Sequence, residues 1–287
     1  MMKRVFYFVM VGLIALAVSC KKDNSNEDVP KQKYGVDGVT LMPEAVDLGL
    51  PSGLKWASFN IGASKPEEYG DYFAWGETIT YYSSQNPLVW AKRKETDENE
   101  LRYNWESYLY ANGAENKLTK YCLKDNADCW DMDAKPEGPD GEVKLLPSDD
   151  VATVKLGGKW RMPTAADFKE LLDLKEEVIK DNSDYTWEDW ALATDADGNE
   201  VKDIWGNAIH GIRIKRKSTG ATLFLPSAGI CNEYEFGEGI DSWGYYYSSS
   251  LDFFPESAVV LYLTPESSGR FNVYRYNGLP VRPVYKD

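Results

Sequence analysis

The clearest periodic pattern in the chain predicts a helix over residues 164–180. Its apolar positions recur at helical spacing and would form one buried face; they are Phe168, Leu171, Leu172, Val178 and Ile179. Thr164 is placed to cap the first turn, and Asp167, three residues later, can complete a capping box. Trp160 and Met162, directly before, are typical of a short strand. This region therefore predicts a strand followed by a capped helix.

Most other patterned segments show the alternation of apolar and polar residues, or the short apolar runs, that are typical of β-strands. These segments are 46–50, 54–59, 71–78, 185–193, 209–215, 222–226, 244–250, 258–263, 270–276 and 279–285. Turn sequences at 51–53 and 218–220 join two pairs of them into predicted hairpins. One strong helix among many short strands predicts an α+β fold of small antiparallel sheets with long irregular loops.

Residues 79–150 follow neither period, although tyrosine and tryptophan are frequent among them. Segments that stay disordered are usually poor in aromatic residues. We therefore expect this stretch to be an irregular insertion whose long loops pack onto the domain.

The beginning of the chain has the layout of an export signal. A basic start precedes the unbroken apolar run 5–18, which is too short to span a membrane comfortably. The run ends in Ala17-Val18-Ser19-Cys20, which resembles the lipobox of bacterial lipoproteins. This resemblance implies that residues 1–19 are a cleaved signal peptide and that Cys20 becomes the lipid-attachment residue. The alternative is an ordinary secretory signal.

The residues after the apolar run are polar and lack any period. We expect residues 20–40 to form the lipidated start and a flexible tether. A single domain over residues 41–287 would follow.

The chain is strongly acidic. Its 46 acidic residues exceed its 32 lysines and arginines, so that the formal net charge is −14. Loss of residues 1–19 would remove Lys3 and Arg4 and no acid, which takes the charge to about −16. A chain of this charge repels phosphate backbones, so nucleic acid is not an expected partner. Solubility alone is a sufficient explanation of the acidity.

Three cysteines remain besides Cys20, so at most one internal disulfide can form. Cys122 and Cys129 are close enough in sequence to close a short loop in an oxidising compartment. The alternative is that these two and Cys231 are buried free thiols.

Several short motifs resemble the Fibrobacter succinogenes major paralogous domain family, and they occur in the family's order over about residues 45–285. They are 46–57 (VDLGLPSGLKWA), 60–64 (NIGAS), 69–78 (YGDYFAWGET), 160–164 (WRMPT), 224–229 (FLPSAG), 246–250 (YYSSS) and 281–284 (VRPV). The family is common among secreted and lipid-anchored envelope proteins of anaerobic gut-type bacteria. The resemblance thus implies a cell-envelope protein held by lipid at the outer membrane, facing either the cell surface or the periplasm.

The WRMPT motif also resembles the formylglycine-generating enzyme superfamily, whose core is a variant of the C-type lectin fold. The resemblance implies a C-type lectin-like domain with a small twisted sheet, flanking helices, and first and last strands that lie side by side. Those enzymes use paired cysteines near their C-terminal strands. The corresponding tail here, 274–280, has no cysteine, and Cys231 is alone upstream, so that oxidase activity is not expected.

Other catalytic centres also lack support in the sequence. His210 is the single histidine, so it would have to serve any zinc site or Ser-His-Asp triad, and no Gly-x-Ser-x-Gly motif accompanies it. A packed, structural His210 is the expectation. A carboxylate pair for glycoside hydrolysis stays open, since no pair is singled out among so many acids. We expect no catalytic residues.

Calcium is a weak candidate ligand, because carboxylates and backbone oxygens suit it. Asp195, Asp197 and Asn199 alternate in a glycine-containing loop, and 125–133 holds four more aspartates. Neither loop fits the EF-hand pattern, and the Glu-Pro-Asn and Trp-Asn-Asp signatures of calcium-dependent lectins are missing. Solvated acidic loops are the alternative, and no cofactor is expected otherwise.

The best candidate ligand site is the loop that joins two predicted strands over residues 231–244. It combines aromatic and acidic side chains, namely Glu233, Tyr234, Asp241, Trp243 and Tyr245. Aromatic faces stack on the apolar faces of sugar rings, while acids and amides hydrogen-bond to hydroxyls. Trp187 and Trp190 could add to this surface or belong to the core, and ordinary loop packing is the alternative for the whole set.

These observations predict a binding module that recognises glycan or glycoprotein, with a role such as adhesion. Its recognition surface would be the loops 79–150 and 231–244. Two alternatives remain: a structural or assembly component that binds envelope proteins, and an enzyme descended from the oxidase-like superfamily.

Overall fold

The computed structural model describes residues 33–83, 103–180, 183–195, 197–233 and 237–287, which all belong to one unit, Gln32–Asp287. The predicted signal peptide, Cys20 and the tether as far as residue 32 lie outside the described residues. Neither helix of the described part is long and apolar enough to cross a membrane.

The described residues form small antiparallel sheets with two helices, which is compatible with the predicted α+β class and also with a mainly-β class. The strands are β1 (Ala45–Val46), β2 (Lys55–Ala57), β3 (Asp71–Tyr72), β4 (Tyr82–Ser83), β5 (Trp160–Arg161), β6 (Tyr185–Leu192), β7 (His210–Arg216), β8 (Thr222–Pro226), β9 (Gly244–Leu251), β10 (Ser257–Leu263), β11 (Ser268–Tyr274) and β12 (Val284–Tyr285). The helices are α1 (Val151–Leu156) and α2 (Ala165–Val178), and Ala127–Cys129 forms a 3-10 turn.

The last residues of the predicted tether are already part of the domain. Tyr34 forms a β-bridge with Leu41, and the Gly35 N–H donates to the Thr40 carbonyl at 2.8 Å. The Asp37 N–H also reaches the carbonyl of Lys155, at the end of α1. The prediction of a free tether up to residue 40 is therefore wrong for residues 33–40, because a local turn places them against α1.

Strands from both ends of the domain share one sheet, in the order β1-β2-β12-β5. Val284 of β12 pairs with Trp56 on one side and with Arg161 on the other, antiparallel in both cases. Of the predicted strand 279–285 only the last part forms β12. Pro280 and Pro283 lack the N–H that a continuous ladder would need, which explains the shorter strand.

Both predicted hairpins are confirmed. β1 pairs with β2, and β7 pairs with β8 in a sheet of order β6-β7-β8. A further sheet has the order β11-β10-β9, and β3 pairs with β4. Each of these pairs is antiparallel.

The β9–β10 pair is buried on both faces. Tyr246 and Leu261 pack in one apolar cluster together with Phe168 of α2, whereas Tyr247 and Val260 pack in a second cluster around Trp75. The sequence of a strand buried on both faces is a continuous run of apolar residues and does not alternate between apolar and polar ones. This explains why the sequence of β10 is almost entirely apolar.

The predicted capping box at the start of α2 is confirmed. The Thr164 hydroxyl accepts from the Asp167 N–H at 3.2 Å, and the Asp167 carboxylate accepts from the Thr164 N–H at 2.6 Å. Arg161 in β5 also donates to the same carboxylate at 2.7 Å. Asp167 therefore ties the strand to the first turn of the helix.

The helix ends two residues earlier than predicted, at Val178, and its buried face is shifted accordingly. The buried positions are Phe168, Leu171 and Leu174. Ile179, predicted on this face, follows the last helical residue and is 84% exposed.

The sequence did not indicate α1, whose six residues are too few for a periodic pattern. Asp150 caps α1 through the Thr153 N–H at 3.0 Å.

Asp167 gives the fold an acid-sensitive contact. Burial acts to raise the pKa of this carboxyl, but the hydrogen bonds from Arg161 and Thr164 outweigh it and hold the pKa below its ordinary value. A lowered folded-state pKa stabilises the fold above the ordinary carboxyl pKa and ceases to do so as pH falls through the folded value. We therefore expect Asp167→Asn to cost about 1–2 kcal/mol at neutral pH, in urea unfolding, and progressively less below pH 4.

The matched control is Asp173→Asn, which removes an exposed pair with Lys169 on the same helix. It is expected to change the free energy of unfolding by less than about 0.5 kcal/mol at any pH. A cost for Asp167→Asn that stays constant down to pH 2 would contradict the assignment.

Two fully buried arginines hold distant segments together. Arg282 donates to the Asn60 side chain at 2.7 Å and to the carbonyls of Ala57 and Ser58 at 3.0 and 2.9 Å. Arg275 donates to the carbonyl of Tyr121 at 2.7 Å. Within the described part of the chain, neither is paired with an acid, so backbone carbonyls replace the usual carboxylate.

Buried aromatic side chains attach the described segment 103–150 to the rest of the domain. Tyr103, Tyr108 and Tyr121 are each at most 2% exposed. The Tyr103 and Tyr108 hydroxyls donate to the backbone carbonyls of Tyr72 and Trp75 at 2.5 and 2.8 Å. The segment is thus attached by side chains rather than by a ladder of backbone hydrogen bonds.

The three cysteines of the described residues are unpaired. Cys122 and Cys231 are buried and Cys129 is half-buried. Burial raises the pKa of the Cys122 thiol to about 11 and raises that of Cys231 well above its ordinary value. These thiols are protonated at neutral pH and therefore unreactive as nucleophiles.

Candidate ligand-binding groove

A hollow of about 300 Å³ lies where the loop before β9 meets the chain that follows β11. It is lined by Ile230, Asn232, Glu233, Glu238, Trp243, Tyr245, Val273, Tyr276 and Asn277. Three of the five predicted loop residues, Glu233, Trp243 and Tyr245, are thus brought together. The sequence placed them in one loop, and the structure adds a second wall from the end of the chain.

Trp243 and Tyr245 form the aromatic side of this hollow. Their rings lie 5.2 Å apart at an angle of 57°, and both are half-buried. Gly239 has a φ of +76°, and a Cβ there would come within 2.0 Å of the Trp243 ring. The backbone N–H of Trp243 also donates to the Gly239 carbonyl at 2.9 Å. Only glycine lets the backbone turn so closely under the indole, so this contact fixes the ring's position.

A second hollow of about 360 Å³ adjoins the first, because Val273 and Asn277 line both. Its other lining residues are Phe254, Glu256, Ser257, Asn272 and Tyr274. We call these two neighbouring hollows together the aromatic groove. Two neighbouring hollows suit an extended ligand better than a single small ring.

The rings along the groove support one another. Tyr274 and Tyr276 are stacked with centroids 5.5 Å apart, and the edge of Trp105 meets both, at 5.9 and 5.0 Å. Such pairs add about 0.5–1.5 kcal/mol each beyond their burial. Trp105 belongs to the irregular segment 79–150, so this segment supports the two tyrosine rings of the groove from behind.

Acids and amides line the groove between the rings. Glu233, Glu238 and Glu256 carry three negative charges, and Asn232 donates to the Glu238 carboxylate. Burial raises the pKa of Tyr245, and the charge of Glu238 adds to this effect, so the phenol stays protonated and able to donate. The groove thus offers acceptors for hydroxyl groups beside flat apolar faces.

The other two predicted loop residues differ in what the structure shows of them. Tyr234 lies outside the described residues. Asp241 lines neither hollow, so the structure does not bring it together with the other predicted site residues. It accepts from the backbone N–H of His210 and its Oδ1 lies 2.6 Å from the His210 Nδ1. Its backbone has a left-handed φ of +59°, and its carboxylate serves His210.

His210 is packed as expected for a structural histidine. Its ring is half-buried and stacks on Trp190 at 5.4 Å and 5°. Trp187 packs against the cluster that contains α2, and its indole N–H donates to Asp189. Neither tryptophan lines the aromatic groove.

The weak calcium candidates are held by their own loop. The Asp195 carboxylate accepts from the backbone N–H groups of Asp197 and Asn199 and from the Asn199 side chain, so its oxygens serve a tight turn. In the second acidic loop, Asp131 accepts from Asn112 and from two backbone N–H groups. Among the described residues no group of three or more acids, histidines or cysteines is arranged to hold a metal.

Sequence reasoning missed Tyr276, Tyr274 and Asn277 as site residues. The sequence placed them only in a predicted strand and in a tail that lacks cysteine. A Tyr-x-Tyr-Asn run next to a turn is a recognisable signal for an aromatic and amide surface.

Comparison of the chain with models of protein families, with curated proteins and with solved structures finds no match in any of the three.

Proposed function

We propose that this protein is a lipid-anchored binding protein of the bacterial outer membrane whose C-type lectin-like domain recognises glycan chains, free or on glycoproteins. The observation that carries the proposal is the aromatic groove, in which Trp243, Tyr245, Tyr274 and Tyr276 alternate with glutamates and amides. No catalytic residues are assigned.

The chemistry of the groove suits a sugar chain. Pyranose rings present apolar C–H faces that stack on aromatic rings, and their hydroxyls donate to carboxylates. The groove is acidic, so neutral or basic sugars are favoured over anionic ones. Its two adjoining hollows provide space for more than one sugar residue.

The C-type lectin-like assignment is supported by the order of the family motifs and by the sheet in which β2 and β12 are neighbours. The resemblance implies that the first and last strands are neighbours, and here the last strand lies beside β2, the partner of β1. The anchoring at the membrane is supported by the lipobox-like segment that ends at Cys20. The C-type lectin-like fold and the lipid anchor are therefore parts of the proposal, as is the class of ligand.

A glycan array probed with the full-length chain, in a detergent that carries no sugar, tests this function. We expect binding to a set of neutral oligosaccharides, unchanged by a calcium chelator because the Asp195 carboxylate is already satisfied. Phe271→Ala is the matched control, since Phe271 is 58% exposed on β11 but does not line the groove.

A blank array from folded protein would overturn glycan recognition as the main role and favour a protein partner in the envelope. Binding that a chelator abolishes would contradict calcium-independent recognition by the groove. It would again make the acidic loops candidates for calcium binding.

A further inference from the structure

Both hollows of the aromatic groove are lined by acids. Glu233 and Glu238 line the first hollow, and Glu256 lines the second. Among the described residues, no lysine, arginine or histidine lines either hollow. A ligand in the groove therefore meets three carboxylates and no side chain of opposite charge, which favours a cation.

Several acids of comparable burial elsewhere in the domain are paired with a cation. The carboxylate of Asp149 forms an ion pair with Lys120, and that of Asp189 with Lys175 at 2.7 Å. Such a pair offsets the cost of moving a charge partly out of water.

Glu233 and Glu256 lack a comparable partner. Both side chains are half-buried, and within the described ranges neither carboxylate accepts a hydrogen bond or forms an ion pair. The acidity of the chain as a whole accounts for exposed acids, but solubility does not require unpaired acids inside a groove. A bound cation would supply the missing partner to each.

Aromatic rings accompany the acids in each hollow. Trp243 and Tyr245 line the first hollow together with Glu233, and Tyr274 lines the second together with Glu256. The face of an aromatic ring attracts a cation, and tryptophan does so most strongly. Ring and carboxylate thus favour the same kind of group, a protonated amine on an apolar body.

An amino sugar combines these features in one unit. Its pyranose ring has an apolar face that stacks on an aromatic ring, and its ammonium group donates up to three hydrogen bonds. Its hydroxyls suit side-chain amides such as those of Asn272 and Asn277, which line the second hollow. Because each hollow contains rings and at least one acid, a chain of such units would present an ammonium group to both.

We infer that the aromatic groove selects sugar chains with free amino groups, oligomers of the hexosamine class, over neutral chains of the same length. This inference rests on the proposed function and narrows its ligand class. Glu233 and Glu256 determine the selectivity, one in each hollow. The rings bind either kind of chain, so neutral chains bind as well, but more weakly.

Calorimetry on the full-length chain with tetramers of glucosamine, N-acetylglucosamine and glucose, all of the same linkage, tests this selectivity. At slightly acid pH, where the free amines are protonated, we expect the glucosamine tetramer to bind at least about tenfold more tightly than the other two. Added salt should reduce this advantage. Glu233→Gln and Glu256→Gln keep the size of the side chain, and each should weaken the glucosamine tetramer at least about threefold and leave the glucose tetramer unchanged.

Glu266→Gln is the matched control. Glu266 is an exposed acid that lines neither hollow, and its replacement changes the net charge by the same amount. It should leave the affinity for the glucosamine tetramer unchanged. An equal loss in this variant would show that the overall charge of the chain, and not the groove, attracts the amine.

Three other results would overturn the inference. They are absence of binding by the glucosamine tetramer, an affinity no higher than that of either other tetramer, and full affinity in both glutamate variants. Tetralysine that binds as tightly as the glucosamine tetramer would also overturn it, because the groove would then bind basic peptides. Failure of the proposed function is a separate result, a blank glycan array, whereas equal affinities of charged and neutral chains leave glycan binding in place.

Discussion

Replacing Arg282 with methionine is expected to lower the free energy of unfolding by about 3–5 kcal/mol, enough to unfold a marginal domain. The guanidinium is fully buried and donates to Asn60, Ala57 and Ser58. Burial lowers its pKa to about 10, so it remains charged at neutral pH. Methionine would fill part of the space, but it would leave three buried acceptors without donors, each at a cost of about 1–3 kcal/mol.

Urea unfolding measures this effect, and Arg270→Met is the matched control. Arg270 is exposed and makes one long contact, 3.5 Å, with the Ala165 carbonyl. We expect this control to change stability by no more than about 0.5 kcal/mol. Equal effects of the two variants would show that Arg282 does not hold the N-terminal strands as described.

Arg275→Met is expected to cost about 2–4 kcal/mol and to loosen one segment before the rest. The guanidinium lies near two rings, 5.3 Å from the centroid of Trp75 and 5.4 Å from that of Tyr108. It also donates to the carbonyls of Lys120 and Tyr121. Loss of the cation removes the hydrogen bonds and the attraction to both rings.

Hydrogen exchange separates this variant from the previous one. Arg275→Met should raise amide exchange mainly over 118–131, whereas Arg282→Met should raise it over 57–66, where its acceptors lie. Identical exchange patterns would mean that both variants only lower global stability, and would contradict the assignment of each arginine to one segment.

The parts of the fold that local sequence determines could be predicted. The capping box of α2 depends on Thr164 and Asp167, three residues apart, and the β7–β8 hairpin depends on a turn between two short apolar runs. The end of α2 was harder to place, because Ile179 continues the helical spacing although the helix stops before it. The helix α1 was missed, since its six residues are too few to show a helical period.

Only one wall of the aromatic groove could be predicted from the sequence. Trp243 and Tyr245 are close in sequence to Glu233, so composition revealed that wall of the groove. The opposite wall comes from Tyr274 and Tyr276, buttressed by Trp105, and no local pattern links such distant positions.

Asp241 shows the opposite case, a residue close in sequence to Trp243 that does not line the groove. It is two residues from Trp243, yet its carboxylate contacts His210. Asp195 illustrates a different ambiguity, because alternating aspartates and asparagines are typical both of cation loops and of tight turns. The structure adds what the sequence does not show, namely that its carboxylate accepts from the backbone N–H groups of Asp197 and Asn199.

The most direct test of glycan recognition by the groove is the affinity of an oligosaccharide series, from one to four sugar units, chosen from the array and measured by calorimetry. The groove's two adjoining hollows predict that affinity rises with length over the first units. Trp243→Ala should lose about 1–3 kcal/mol of binding free energy, at least about fivefold in affinity, while Phe271→Ala stays unchanged. A monosaccharide that binds as tightly as the longest chain, or full affinity in Trp243→Ala, would contradict recognition by this groove.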